Sequence, residues 1–142
     1  MPITVRVLTP QRTLVNDEEF DTVVIPGATG EVGVEPDHSP MVTELQIGHM
    51  RTYQAGVAGA LAVAGGFAEV RDDRLVVLTP SAEVPTEIDH ARAEEARRRA
   101  EDRLKKAASG QDTGIDIDRA KVSLLRAINR ISLTEQYRSM EG

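Results

Sequence analysis

The chain predicts an α+β fold, with a β module over residues 1–86 followed by an antiparallel two-helix hairpin over 87–142. Three observations predict it. Short β-branched runs recur up to Thr79, broken by Gly, Pro and Asp about every 8–12 residues. From Glu87 to Ala108, 22 residues pass without a Gly or Pro. Both closing segments open with the same pattern, I-D-x-x-R-A, as Ile88-Asp89-His90-Ala91-Arg92-Ala93 and as Ile115-Asp116-Ile117-Asp118-Arg119-Ala120.

The β elements follow in order. Thr4 to Leu8 alternates and stops at Thr9-Pro10, and Thr22 to Ile25 stops at Pro26-Gly27. Glu31 to Val34 stops at Glu35-Pro36. Further strand-like runs are Gly48–Tyr53, Gly59–Val63, Phe67–Val70 and Leu75–Thr79, with Asp72-Asp73 as a hairpin tip. Such spacing suits a sandwich or barrel.

The pattern then changes. Thr86 with Asp89 three residues on resembles a capping box, which places a helix from Glu87 to Ala108, about 33 Å long. Ser109 to Gly114 is a turn, and a second helix runs from about Asp116 to Ser139. At 100° per residue, Ala93, Ala96, Ala100, Leu104 and Ala107 share one stripe of mostly small side chains. Ile117, Ala120, Leu124, Ala127, Ile128 and Ile131 form the matching stripe on the second helix. Alanine on one side permits close approach, near 8 Å, so the two should pair.

Charge distinguishes the two helices. Glu94–Arg98, Glu95–Arg99, Glu101–Lys105 and Asp102–Lys106 set acid before base at i,i+4 on the first, each contributing roughly 0.2–0.5 kcal/mol. Arg97-Arg98-Arg99 therefore belongs to a solvated helix face rather than a nucleic-acid patch. On the second helix, Arg119, Arg126 and Arg130 lie within about 40° of one another with no acid at i±4. That stripe calls for an anionic partner.

Bulk properties exclude several classes. Net charge is −6, with 5 basic and 12 acidic side chains in residues 1–86 and 12 basic and 11 acidic in 87–142. An acidic body carrying only four aromatics (Phe20, Tyr53, Phe67, Tyr137) is no nucleic-acid binder. There are no cysteines, which removes disulfides and thiolate metal sites. His38, His49 and His90 show no metal-ligand spacing, so no metal is expected. No run of about 18 apolar residues exists and the N-terminus lacks signal-peptide character, which excludes direct membrane insertion and suggests a cytosolic address. Gly27, Gly30 and Gly33 match neither a P-loop nor a dinucleotide fingerprint. Asp37-His38-Ser39 has triad residue types, but consecutive residues do not converge on one point.

The order Pro26-Gly27-Ala28-Thr29-Gly30-Glu31-Val32-Gly33-Val34, Pro36-Asp37-His38-Ser39-Pro40-Met41, Gly65-Gly66-Phe67-Ala68-Glu69-Val70, and Ala82-Glu83 leading into I-D-x-x-R-A resembles the epsilon subunit of the bacterial F-type, proton-translocating ATP synthase. The resemblance covers nearly the whole chain. It implies a ten-stranded β-sandwich and a helical hairpin. It also implies a non-catalytic rotor subunit that couples gamma to the c-ring, peripheral to the cytoplasmic face of the bacterial plasma membrane. The hairpin, when extended, contacts the alpha and beta subunits and inhibits ATP hydrolysis. When folded, it binds ATP in some members. By that resemblance Glu83, Ile88, Asp89, Arg92, Ala93, Arg99 and Arg126 are ATP contacts, and Glu31 and His38 face the rotor. Arg119, Arg126 and Arg130 are expected to dock on the catalytic subunits. ATP is a possible regulatory ligand; no cofactor is required.

Two readings of I-D-x-x-R-A remain open at this point. Asp at a helix start caps the free N–H groups and Ala packs, with no ligand needed. Alternatively, arginines from both helices converge on a phosphate. Two rival functions also stand: a stand-alone β-sandwich nucleotide sensor, and a small hydrolase using the His38 loop.

Overall fold

The computed structural model describes residues 2–141, and side chains through Tyr137. It divides into two compact units, 1–84 and 85–142. The first contains eight strands: β1 Ile3–Leu8, β2 Thr13–Phe20, β3 Thr22–Gly27, β4 Gly30–Val34, β5 Met41–Gln54, β6 Val57–Arg71, β7 Arg74–Leu78 and β8 Ala82–Glu83. They form one path, β2-β1-β7-β6-β5-β3-β4, with β8 added to β6. Among the described residues, only the β1–β7 pair is parallel.

Alternation decides which faces turn inward. Ile3, Val5 and Val7 of β1, Val23 and Ile25 of β3, and Leu75 and Val77 of β7 are all fully buried. Val15 from one end of the path and Val34 from the other share one apolar cluster with them. The sheet is therefore folded over on itself as a two-layered sandwich.

Ten strands were expected and eight are present. β5 and β6 are long, at 14 and 15 residues. Their ladder runs from Met41↔Val70 to Leu45↔Gly66 and resumes at Ile47↔Ala64. Gly65 and Gly66, at φ 86° and 101°, mark the interruption. β6 thus joins two strand-like runs of the sequence, Gly59–Val63 and Phe67–Val70, and the glycines that look like a break are a bend within one strand. A Cβ at Gly66 would lie 2.0 Å from the Leu78 carbonyl oxygen, so no other residue fits there.

β2 is an addition to the sequence reading. Only Val15 of its eight residues is buried. Its hold on the sheet is partly ionic. Asp17, at φ 53°, accepts from Arg6 Nη2 of β1 at 2.5 Å and from Arg74 Nη2 of β7 at 2.9 Å. The Arg6 hydrogen bond, helped by the charges of both arginines, holds the Asp17 carboxyl below its ordinary value of 3.8. The Asp72-Asp73 hairpin tip is as expected, with φ of 51° and 58°, and Ala55-Gly56 turns β5 into β6 with φ of 50° and 79°. Paired positive φ values belong to the tight turns whose twist matches the strands they join.

The second unit begins with a single 3-10 turn, Pro85–Glu87, followed by α1 His90–Ala108 and α2 Ile117–Glu141. α1 starts at His90, not at Glu87, because Asp89 rather than Thr86 supplies the cap. It ends in a Schellman arrangement. Gly110 N donates to Ala107 O, Gln111 N donates to Lys106 O, and Gly110 sits at φ 73°. Lys105 and Lys106 in the last turn complement the helix dipole.

Candidate functional site

The two copies of I-D-x-x-R-A do the same local job. Asp89 Oδ1 accepts from Arg92 N at 3.1 Å, and Asp116 Oδ1 accepts from Arg119 N at 3.1 Å. The main chain follows suit, Ala93 N donating to Asp89 O at 3.0 Å and Ala120 N to Asp116 O at 3.1 Å. The fifth residue of each copy, Arg92 or Arg119, is exposed and the sixth, Ala93 or Ala120, is buried. The motif is thus a helix start that turns an alanine inward. Any ligand role of the first copy comes on top of that structural one.

The buried stripe runs Ala93, Ala100 on α1 and Ala120, Ala127, Ile131, Thr134 on α2, with Ala96, Leu104, Ala107 and Leu124 half-buried. His90 at the start of α1 meets Thr134 near the end of α2, so the pair is antiparallel. Two members of the expected stripe fall outside it: Ile117 is 46% and Ile128 45% exposed. The 3-4 spacing 120-124-127-131-134 leaves Ile128 about 100° round from Ala127. With Val122 and Leu125 these residues give α2 an exposed apolar side.

The charge lattice on α1 is partly rearranged. Arg99 Nη1 lies 3.9 Å from Glu95 Oε2 and Lys106 Nζ 3.1 Å from Asp102 Oδ2, as expected. Glu94 instead meets Arg97 Nη2 at 2.6 Å, and Glu101 lies 3.8 Å from Arg97 Nε. Arg97 is half-buried, so it draws acids from both sides along the helix.

The expected ATP contacts fall into three groups. Ile88 and Ala93 are buried and act as packing residues. Asp89 is occupied as a cap and has Arg92 Nε 3.9 Å from its second oxygen. Arg92, Arg99 and Arg126 are exposed, with Arg92 showing 83% of its side chain. Glu83 sits half-buried on β8, in the other unit, and already has a partner. Of the docking arginines, Arg119 and Arg126 are exposed, while Arg130 is half-buried and engaged.

In the sandwich, Glu31 on β4 is exposed and pairs with Arg51 of β5 at 2.5 Å. His38 lies in the following loop, its Nδ1 2.7 Å from the carbonyl oxygen of Ser39. That contact is to the main chain and not to the Ser39 hydroxyl, which leaves the triad-like run without nucleophile geometry.

Comparison with known proteins follows the same two-part division. Residues 2–85 match the family model "ATP synthase, Delta/Epsilon chain, beta-sandwich domain", and residues 86–135 match "ATP synthase, Delta/Epsilon chain, long alpha-helix domain". The chain is 46% identical over 129 residues to the ATP synthase epsilon chain of Desulforamulus reducens, covering 91% of this chain and 94% of that one. It is 36% identical to the epsilon chain of Herpetosiphon aurantiacus over 141 residues, covering 99% and 100%. A chain of the Euglena gracilis mitochondrial ATP synthase, in a structure of its OSCP/F1/c-ring assembly, has the same fold. The TM-score is 0.76 at 20% identity, over 96% of this chain and 81% of that one.

Proposed function

The chain belongs to the ATP synthase delta/epsilon chain family, and from that membership we propose that it is a non-catalytic subunit of the rotor, the central stalk, of an F-type proton-translocating ATP synthase. The observation that carries this is the match of both units, in order, to epsilon chains over nearly the full length of each. A stand-alone sensor or a small hydrolase has no reason to share that two-part length. In this role the sandwich joins gamma to the c-ring, with Glu31 and His38 on the rotor side. The complex would hold the chain at the cytoplasmic face of a bacterial plasma membrane. No helix among the described residues is long and apolar enough to cross one.

The hairpin is the regulatory part. In its paired state it would bind ATP through Glu83, Ile88, Asp89, Arg92, Ala93, Arg99 and Arg126. Released, it would engage the alpha and beta subunits and inhibit hydrolysis. Arg119 and Arg126 offer their charge directly to acidic segments, and Arg130 would first give up its present contact. ATP then shifts the balance only by its differential affinity for the paired state.

Capture of a gamma subunit by the purified chain is the test of the rotor role; a chain that stays monomeric beside gamma overturns it. Calorimetry with millimolar MgATP should show binding, and Arg92→Ala and Arg126→Ala should weaken it. Unchanged affinity in both variants removes the ligand role. In a hydrolysis assay on the assembled complex, Arg119→Glu with Arg126→Glu should relieve inhibition, and unaltered inhibition rejects the docking.

A further inference from the structure

One corner of the hairpin is built from groups that neither the cap nor the stripe requires. His90, the first residue of α1, has Glu94 one turn along the same helix and Glu135 facing it from α2. One ligand atom from each lies within 4.8 Å of the others. His90 and Glu94 are half-buried and Glu135 is exposed.

The hydrogen bonds around His90 settle which ring nitrogen is available. Thr134 Oγ1 donates to the Ile131 carbonyl at 2.8 Å, so its one proton is committed. Toward His90 it can only accept, and Nδ1 lies 2.9 Å away. Nδ1 therefore carries a hydrogen, and Nε2, 3.7 Å from Glu94 Oε1, is the nitrogen left for a ligand bond. With Arg97 on Glu94 Oε2, the His90 Nε2, Glu94 Oε1 and a Glu135 oxygen are left converging as a ligand set for a cation.

We propose that His90, Glu94 and Glu135 form a divalent transition-metal site, of the kind Zn²⁺ occupies, that clasps α1 to α2. One imidazole nitrogen and two carboxylate oxygens are a borderline donor set suited to Zn²⁺, with water completing the coordination. Thr134 orients the histidine through its other nitrogen, as a carbonyl or carboxylate does behind most metal-bound histidines. Arg97, 2.6 Å from Glu94 Oε2, fixes that carboxylate and leaves Oε1 to the metal. Bond lengths near 2.1 Å put tetrahedral ligand atoms roughly 3.4 Å apart, so closing the site takes a side-chain adjustment of about 1 Å. Glu135, being exposed, can make it.

The ligands come from both helices and meet only when the helices are paired. Metal therefore stabilises the paired hairpin against any state that separates them. The binding itself does not depend on the rotor assignment; its effect on inhibition does rest on that assignment.

The test uses the full chain, free of nucleotide, titrated with Co²⁺ as a visible probe and with Zn²⁺ in calorimetry. One equivalent should bind, with the absorption of low-symmetry Co²⁺, and zinc should raise the thermal midpoint of the helical signal. Glu135→Gln, at an exposed position that folding does not need, and His90→Gln should each weaken binding by more than about tenfold. Both should abolish the thermal shift. If the wild-type chain takes up no Co²⁺, or if both variants titrate like it, the site does not exist. Because no gamma subunit and no ATP are present, that result leaves the rotor role untouched.

Discussion

The sandwich and the hairpin bury different things. The sandwich core is made of Ile3, Val5, Val7, Ile25, Leu75 and Val77, all fully buried. Full burial contributes about 1.5–3 kcal/mol for each such side chain. The buried apolar residues of the hairpin unit are four alanines, Ala93, Ala100, Ala120 and Ala127, with only Ile88, Ile131 and Leu133 as larger side chains among the described residues. A methyl group contributes about 0.8 kcal/mol at most. The hairpin depends instead on things that are local: two aspartate caps, a Schellman end and ion pairs along one helix. A unit held by long-range core volume makes a fixed platform. A unit whose helices carry their own caps and ion pairs relies less on core volume for its shape.

The largest expected effect is on the platform. Gly66→Ala combines a forbidden φ with a Cβ driven into the Leu78 carbonyl, and should cost about 3 kcal/mol or more in chemical denaturation. The sandwich transition should move while the helical signal does not. If both move together, the units are not energetically separate. Next, Ala100→Leu puts a large side chain where Ala100 is 1% exposed, and overpacking of this kind costs about 1–3 kcal/mol. It should lengthen the distance between probes on α1 and α2 at unchanged helix content. Loss of helix would mean that the helices do need each other.

Asp89→Ala and Asp116→Ala should each cost about 1 kcal/mol, and by similar amounts, because the two caps have the same geometry. A difference that appears only when MgATP is added would assign the extra part to a ligand. The smallest effect is at Asp17. Its folded-state value is depressed, so the stability it supplies is present above pH 3.8 and is lost as the pH falls through the lowered value. Acid titration of Asp17→Asn should therefore show a shallower loss than the wild type below about pH 4, in the sandwich transition alone.

Much of this was legible in the residues. Alternating Val and Ile gave β1, β3 and β7, and the stretch free of Gly and Pro gave α1. β2 was not legible, because Val15 alone points inward among Asn16, Asp17, Glu18 and Glu19, and its pairing depends on arginines from β1 and β7. β6 looked like two shorter pieces because Gly65 and Gly66 punctuate a strand that does not stop there. Thr86 looked like the cap because Thr-x-x-Asp imitates a capping box; the aspartate of the repeated motif was itself the cap. In the candidate site, the exposure of Arg92, Arg99 and Arg126 follows from their helix faces. The convergence on His90 was hidden, since spacing among the three histidines says nothing of Glu94 and Glu135, and Glu135 comes from the other helix.

Alanine has no rotatable side-chain torsion. The alanine part of the contact between α1 and α2 therefore freezes no rotamers, while Leu104, Leu124 and Ile131 beside it do. A seam in which four of the buried members are alanines thus loses less side-chain entropy on closing than one of interlocking leucines would. A low entropic cost of closing, rather than a large apolar volume, is what those four positions supply.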